Sequence, residues 1–121
     1  MTIIQFDTAL PEYAAPGERP VLQMLIDMCL RDEGRVSVWD GEEFSVQGCN
    51  SKDNILKNLA QTDMDQLEAF DKDGNYLGFF LLIYNNGSEG EPMVVISDYS
   101  SNEWCDRVYH RLSEVFGGYE I

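Results

Sequence analysis

Apolar positions recur along this chain with two different spacings, and the switches between them outline its elements. After Pro20, which suits a first helical turn, Val21, Leu22, Leu25, Ile26, Met28 and Cys29 return at helical spacing until Gly34 stops the run. The period then drops to two: Val36 and Val38, and after Asp40-Gly41 Phe44 and Val46, alternate with polar residues as in a hairpin. A loop one residue longer than Asp40-Gly41 keeps the apolar face together, pairing Val38 with Phe44 and Val36 with Val46. Ser51 then caps a short helix carrying Ile55, Leu56, Leu59 and Ala60 on one side.

Beyond that helix the pattern is mostly strand. Leu67 to Phe70 predicts a strand, Asp71-Lys72-Asp73-Gly74-Asn75 is turn chemistry, and Tyr76 to Tyr84 is nearly all apolar, as expected for a central strand covered on both faces. Met93 to Ile96 predicts a further strand, with Asn86-Gly87 favouring antiparallel pairing to its predecessor. Ser100 and Glu103 have the spacing of a capping box, and Trp104, Cys105, Val108, Leu112, Val115 and Phe116 form the apolar stripe of a last helix. The order α-β-β-α-β-β-β-α predicts an α+β fold, an antiparallel sheet of about five strands with helices packed on one side. The 121 residues fit a single domain, 1–121, with an irregular arm at about 1–19 that contains Pro11 and Pro16.

Charge narrows the function. Eight Lys and Arg against 22 Asp and Glu give a net charge of −14, so contact with nucleic-acid phosphates or anionic lipid is opposed by the chain's own field. With 44% apolar and 12% aromatic residues, the chain can still build a core. No stretch approaches the roughly 18 apolar residues of a membrane span, and the first residues lack a basic start with a sustained apolar run. Cys29, Cys49 and Cys105 are odd in number and widely spaced, which suits reduced thiols and a cytoplasmic protein.

Catalytic signatures are missing. Asp71 to Asn75 opens like a calcium loop, but Tyr76 and Leu82 hold the places of the required Gly and bidentate Glu. His110 is the one histidine, and on a helix it stands roughly 140° around from Cys105, too far for a dyad. With Arg107, Arg111, Asp106 and Glu114 it reads as part of a charged outer face. No glycine-rich phosphate loop occurs. These observations predict a protein that is not an enzyme and has no catalytic residues, metal site or cofactor.

The acids are unevenly placed. Residues 61–105 hold nine acids and one lysine, a net −8. The pairs Asp63/Asp65, Asp71/Asp73 and Glu89/Glu91 are spaced so that extended backbone sets them on one face about 6.5–7 Å apart, the scale of a phosphate ladder. These six residues, with Tyr76 and Trp39 as aromatic anchors, are the candidate partner-binding set. Gly74 to Gly87, followed by Val95-Ile96-Ser97-Asp98-Tyr99-Ser100, resembles small acidic accessory proteins of tailed bacteriophages. The resemblance covers about a third of the chain, includes no catalytic motif, and implies a phage or mobile-element origin.

The expectation is therefore an acidic inhibitor of phage or mobile-element type. Its partner would be a basic protein surface, that of a host nuclease or other DNA-binding complex, engaged by nucleic-acid mimicry and without direct contact to nucleic acid or membrane. The alternatives are an immunity or antitoxin protein that neutralises one toxin, and a small structural or assembly factor that self-associates, for instance as a homodimer.

Overall fold

Helix starts in this chain are set by side chains that supply an acceptor or dispense with a donor. The computed structural model describes residues 14, 16–84 and 92–117. Within them, α1 (Arg19–Leu30) carries Pro20 in its first turn, where the missing N–H costs nothing. Ser51 caps α2 (Lys52–Asn58) by accepting from the Asn54 N–H at 3.3 Å. Asn102 caps α3 (Glu103–Leu112), its side-chain oxygen accepting from the Cys105 N–H at 2.8 Å. The sequence pattern pointed to Ser100 for that cap. Ser100 instead accepts from the Phe79 N–H at 2.9 Å, fastening the approach to α3 onto the sheet.

Five antiparallel strands, β1 (Arg35–Trp39), β2 (Phe44–Cys49), β3 (Met64–Phe70), β4 (Tyr76–Ile83) and β5 (Ile96–Tyr99), form one sheet in the order β2-β1-β3-β4-β5. The fold is α+β with the element order that the patterning predicts. Three details differ. β3, not β4, holds the middle of the sheet. The last strand begins at Ile96, because Pro92, with no N–H to give a ladder, opens a 3₁₀ turn over Pro92–Val95. In the hairpin, Val38 opposes Val46 and Trp39 opposes Phe44, not the predicted Val38–Phe44 and Val36–Val46 pairs.

The hairpin shift has a local cause. The Asp40 carboxylate accepts from the Glu42 and Glu43 N–H groups, each at 2.9 Å, and closes a loop longer than the sequence suggested. Farther along, Gly48 at φ +53 donates to the Ser37 hydroxyl at 2.9 Å and carries β2 through a bulge, so that Cys49 reaches Val36.

All three helices pack on one face of the sheet. Val21, Leu22, Leu25 and Ile26 of α1, Ile55 and Leu56 of α2, and Cys105, Val108 and Leu112 of α3 join Val36, Val38, Leu67, Phe80 and Leu82 in one buried cluster. Each large apolar side chain so covered contributes about 1.5–3 kcal/mol. The approach of α3 to β4 demands Gly78, where a Cβ would fall 2.4 Å from the Cys105 sulfur. Among the described residues no helix is long and apolar enough to cross a membrane.

Candidate interaction face

The described helices all lie on one face of the sheet, and the side chains of the strands make up the other. Along β3, Asp65, Leu67 and Ala69 are buried, while Met64, Gln66, Glu68 and Phe70 are half-buried. Along β4, Phe80 and Leu82 are buried, and Phe79, Leu81 and Ile83 are half-buried and lie outside the core cluster. Register joins these outward positions in one surface: Met64 opposes Ile83, Gln66 opposes both Leu81 and Trp39, Glu68 opposes both Phe79 and Ser37, and Leu81 opposes Asp98. None of the described helices covers this face. Among the described residues helices cover β4 on one face only, and its outward residues are nonetheless apolar and half-buried.

Both aromatic candidates stand at the ends of this face. Trp39 meets the half-exposed Phe44 edge to face at 5.0 Å, beside Gln66. Tyr76, 54% exposed, meets Phe70 edge to face at 5.5 Å at the end next to the Asp71–Asn75 turn. Glu68 lies between them and accepts from the Gln66 amide at 2.7 Å. Asp98 is exposed beside Leu81. Phe44, Phe70, Phe79, Leu81, Glu68 and Asp98 were not singled out in the sequence as partner-binding residues. For Phe79 and Leu81 the signal was present as an excess of apolar residues in β4 beyond what one covered face requires.

The candidate acids divide. Asp63 and Asp73 are exposed, Asp73 with Lys72 at 3.7 Å. Asp71 turns inward: its carboxylate accepts from the Asp73 and Asn75 N–H groups, both at 2.9 Å, and from the Asn75 amide at 3.1 Å. These bonds, that from the Asn75 N–H foremost, hold its carboxyl below the usual range. Asp71 is the fastener of the β3–β4 turn, and the extended ladder expected for Asp71/Asp73 is not formed there. Glu89 and Glu91, like the Asn86-Gly87 turn, lie outside the described residues.

Asp65 is 1% exposed and cannot meet a partner, which removes it from the surface set. Its oxygen Oδ2 accepts from the Tyr84 hydroxyl at 2.6 Å and from the Ala60 N–H at 2.9 Å. Ala60 sits at φ +59, a left-handed conformation that Asp65 holds in place between α2 and β3. Strand alternation caused the reassignment, since Asp65 shares the helix-covered side with Leu67 and Ala69. Burial, partly offset by the bonds from Tyr84 and Ala60, pushes its pKa up to about 6. The same burial raises the Tyr84 phenol.

The remaining chemistry is structural. Cys29 and Cys105 are buried core thiols raised by desolvation, and Cys49 is half-buried and free. The Cys105 sulfur points at β4, whereas His110 is exposed and its ring nitrogen bonds the Asp106 carbonyl at 2.9 Å. Among the described residues no three His, Cys, Asp or Glu side chains gather as a metal site. Comparison with family models, curated proteins and solved structures finds no match.

Proposed function

We propose that the chain is a non-catalytic inhibitor of phage or mobile-element type that docks the open face of its sheet on the basic, nucleic-acid-handling surface of a host protein. One observation carries the reading: β4 keeps Phe79, Leu81 and Ile83 apolar on a face that no described helix covers, with Trp39 and Tyr76 at its ends and Glu68 and Asp98 among them. Aromatic side chains of this kind anchor protein interfaces, and the net charge of −14 accelerates encounter with a basic partner. The same charge opposes direct binding to DNA. With Asp65 and Asp71 engaged internally, mimicry rests on the overall field, on Asp63, Asp73, Glu68 and Asp98, and on the aromatic face.

The test is capture from bacterial lysate with the full chain, followed by titration of the purified partner at several salt concentrations. Expected is a DNA-binding partner whose affinity falls with salt, is lost in Phe79→Ser/Leu81→Ser, and is competed by duplex DNA that the chain itself does not bind. Recovery of one small toxin replaces the reading with that of an antitoxin. Self-association abolished by the same two substitutions replaces it with that of an assembly factor, which the apolar face also suits. An affinity flat with salt removes the electrostatic basis of the proposal.

A further inference from the structure

On the helix side of the sheet, between the end of α1 and α3, lies a cavity of about 550 Å³, within the range of small-molecule sites. Its apolar lining includes Met28, Leu77, Trp104 and Val108. Arg31, Arg107 and Arg111 also line it, three of the eight cations of a chain whose net charge is −14. Arg107, Val108 and Arg111 follow Trp104 by three, four and seven residues, so α3 turns one stripe toward the cavity. Both arginines are exposed, as the sequence pattern predicts for them and His110, and they line the cavity as well.

None of the three arginines is held by a buried ion pair among the described residues. Arg31 makes no ion pair with any described residue. Arg107 and Arg111 reach Glu103 at 3.6 Å and Glu114 at 3.1 Å in solvent-exposed pairs, which a better anion displaces easily. Of the two lining carboxylates, Asp71 faces its own turn, leaving Asp32 at the mouth.

A second observation marks the same place. After Arg31 the backbone takes two consecutive left-handed residues, Asp32 at φ +59 and Glu33 at φ +66, conformations that Glu in particular rarely adopts. Gly34 follows where a Cβ would lie 2.2 Å from the Cys29 carbonyl, so the turn is folded hard against the end of α1. That fold fixes the backbone of Arg31 and Asp32 at the cavity mouth. The Trp104 ring is likewise held, edge to face with Phe80 at 6.0 Å.

We propose that this cavity binds a small organic anion with a flat body, its carboxylate or phosphate held by Arg31, Arg107 and Arg111 and its ring against Trp104. Guanidinium groups give forked hydrogen bonds to both kinds of head, and an indole face with aliphatic neighbours takes a planar body. The cavity lies on the opposite side of the sheet from the proposed interaction face, so this inference stands or falls independently of the partner.

The experiment is a titration of the isotope-labelled full chain followed by amide and indole resonances, with benzoate, adenosine 5′-monophosphate, adenosine and inorganic phosphate as separate probes. Expected are saturating shifts at Arg31, Gly34 and the Trp104 indole with benzoate or the nucleotide, and none with adenosine. Arg31→Gln and Arg107→Gln should each weaken binding about tenfold, the loss of one charge-assisted hydrogen bond, and Arg31→Lys less. Melting curves of these variants should stay near wild type, since both arginines are exposed. No saturating shift with either organic anion, or binding unchanged in both Gln variants, overturns the proposal. Inorganic phosphate binding as tightly as the organic anions overturns the part assigned to Trp104.

Discussion

Phe79 and Phe80 are neighbours in β4, yet one belongs to the fold and the other to its surroundings. Phe80 is fully buried, with Tyr99 and Trp104 both 6.0 Å from its ring. Phe79 opposes Glu68 on the face that no described helix covers. The same contrast separates Leu82 from Leu81 and Leu67 from Glu68. A sheet that needs only one covered face usually alternates apolar with polar residues. β3 follows that rule in part, with Gln66 and Glu68 outward, and β4 breaks it. The outward apolar residues of β4 therefore do little for folding through packing on the described helices, and under the proposed function they are the ones a partner meets.

Truncation should separate the two faces most clearly. Phe80→Ala should cost about 3–5 kcal/mol, because it removes a covered ring from a packed core. Phe79→Ala, starting from a half-buried ring, should cost roughly 1 kcal/mol. Urea unfolding of the two variants measures both. Equal costs would mean that the open face is covered in solution and that Phe79 belongs to the core as Phe80 does.

How much of this was legible in the sequence follows from the range of the forces involved. Helix and strand order, the Ser51 cap and the Asp71–Asn75 turn depend on neighbours in the chain, and the pattern predicts them. The hairpin register escaped because one side chain, Asp40, and one bulge at Gly48 set it against the simple alternation. Asp65 escaped for another reason: its partners Ala60 and Tyr84 meet it only once β3 and β4 pair. The pattern predicts β3 only from Leu67 to Phe70, whereas the satisfied carboxylate lets the strand begin at Met64. Arg107 and Arg111 were correctly placed on a helix, but the turn that brings Arg31 beside them is long-range and left no periodic signal.

The buried carboxylate offers the second test, because it charges the covered face. Its pKa is raised to about 6 from an ordinary value near 3.8, so the native state holds a proton that the unfolded chain has released over that interval. Stability should consequently fall as pH rises from about 4 to about 7, by roughly 2–3 kcal/mol from this group. This runs opposite to the usual carboxylate, and opposite to Asp40 and Asp71, whose lowered values add stability that is lost only in stronger acid. Asp65→Asn should remove the effect: the wild-type advantage over the variant should shrink steadily between pH 4 and 7. Urea midpoints at four pH values measure it. A difference independent of pH would mean that Asp65 is solvated and that the helix-covered layer is looser at this end of β3.

The smallest expected change in stability is on the open face, where it divides the charge of that face from its rings. Glu68 is half-buried, accepts from Gln66 and lies between Ser37 and Phe79. Glu68→Gln keeps the volume and should alter stability by no more than about 0.5 kcal/mol. It also removes one charge of a net −14, too little to change the long-range field that steers encounter. If the partner meets this face only through the rings, association and dissociation rates should both stay near wild type. If a partner cation sits against Glu68, dissociation should quicken about tenfold while association hardly moves, the signature of a contact charge as distinct from a steering one. Docking on the open face predicts the second outcome, because a basic surface laid over Phe79 and Leu81 would bring a cation within reach of the carboxylate between them and Ser37. Binding kinetics of Glu68→Gln beside Phe79→Ser decide it: a fast-dissociating Ser variant with an unaltered Gln variant would leave the rings as the contact and reduce the acids of this face to solvation.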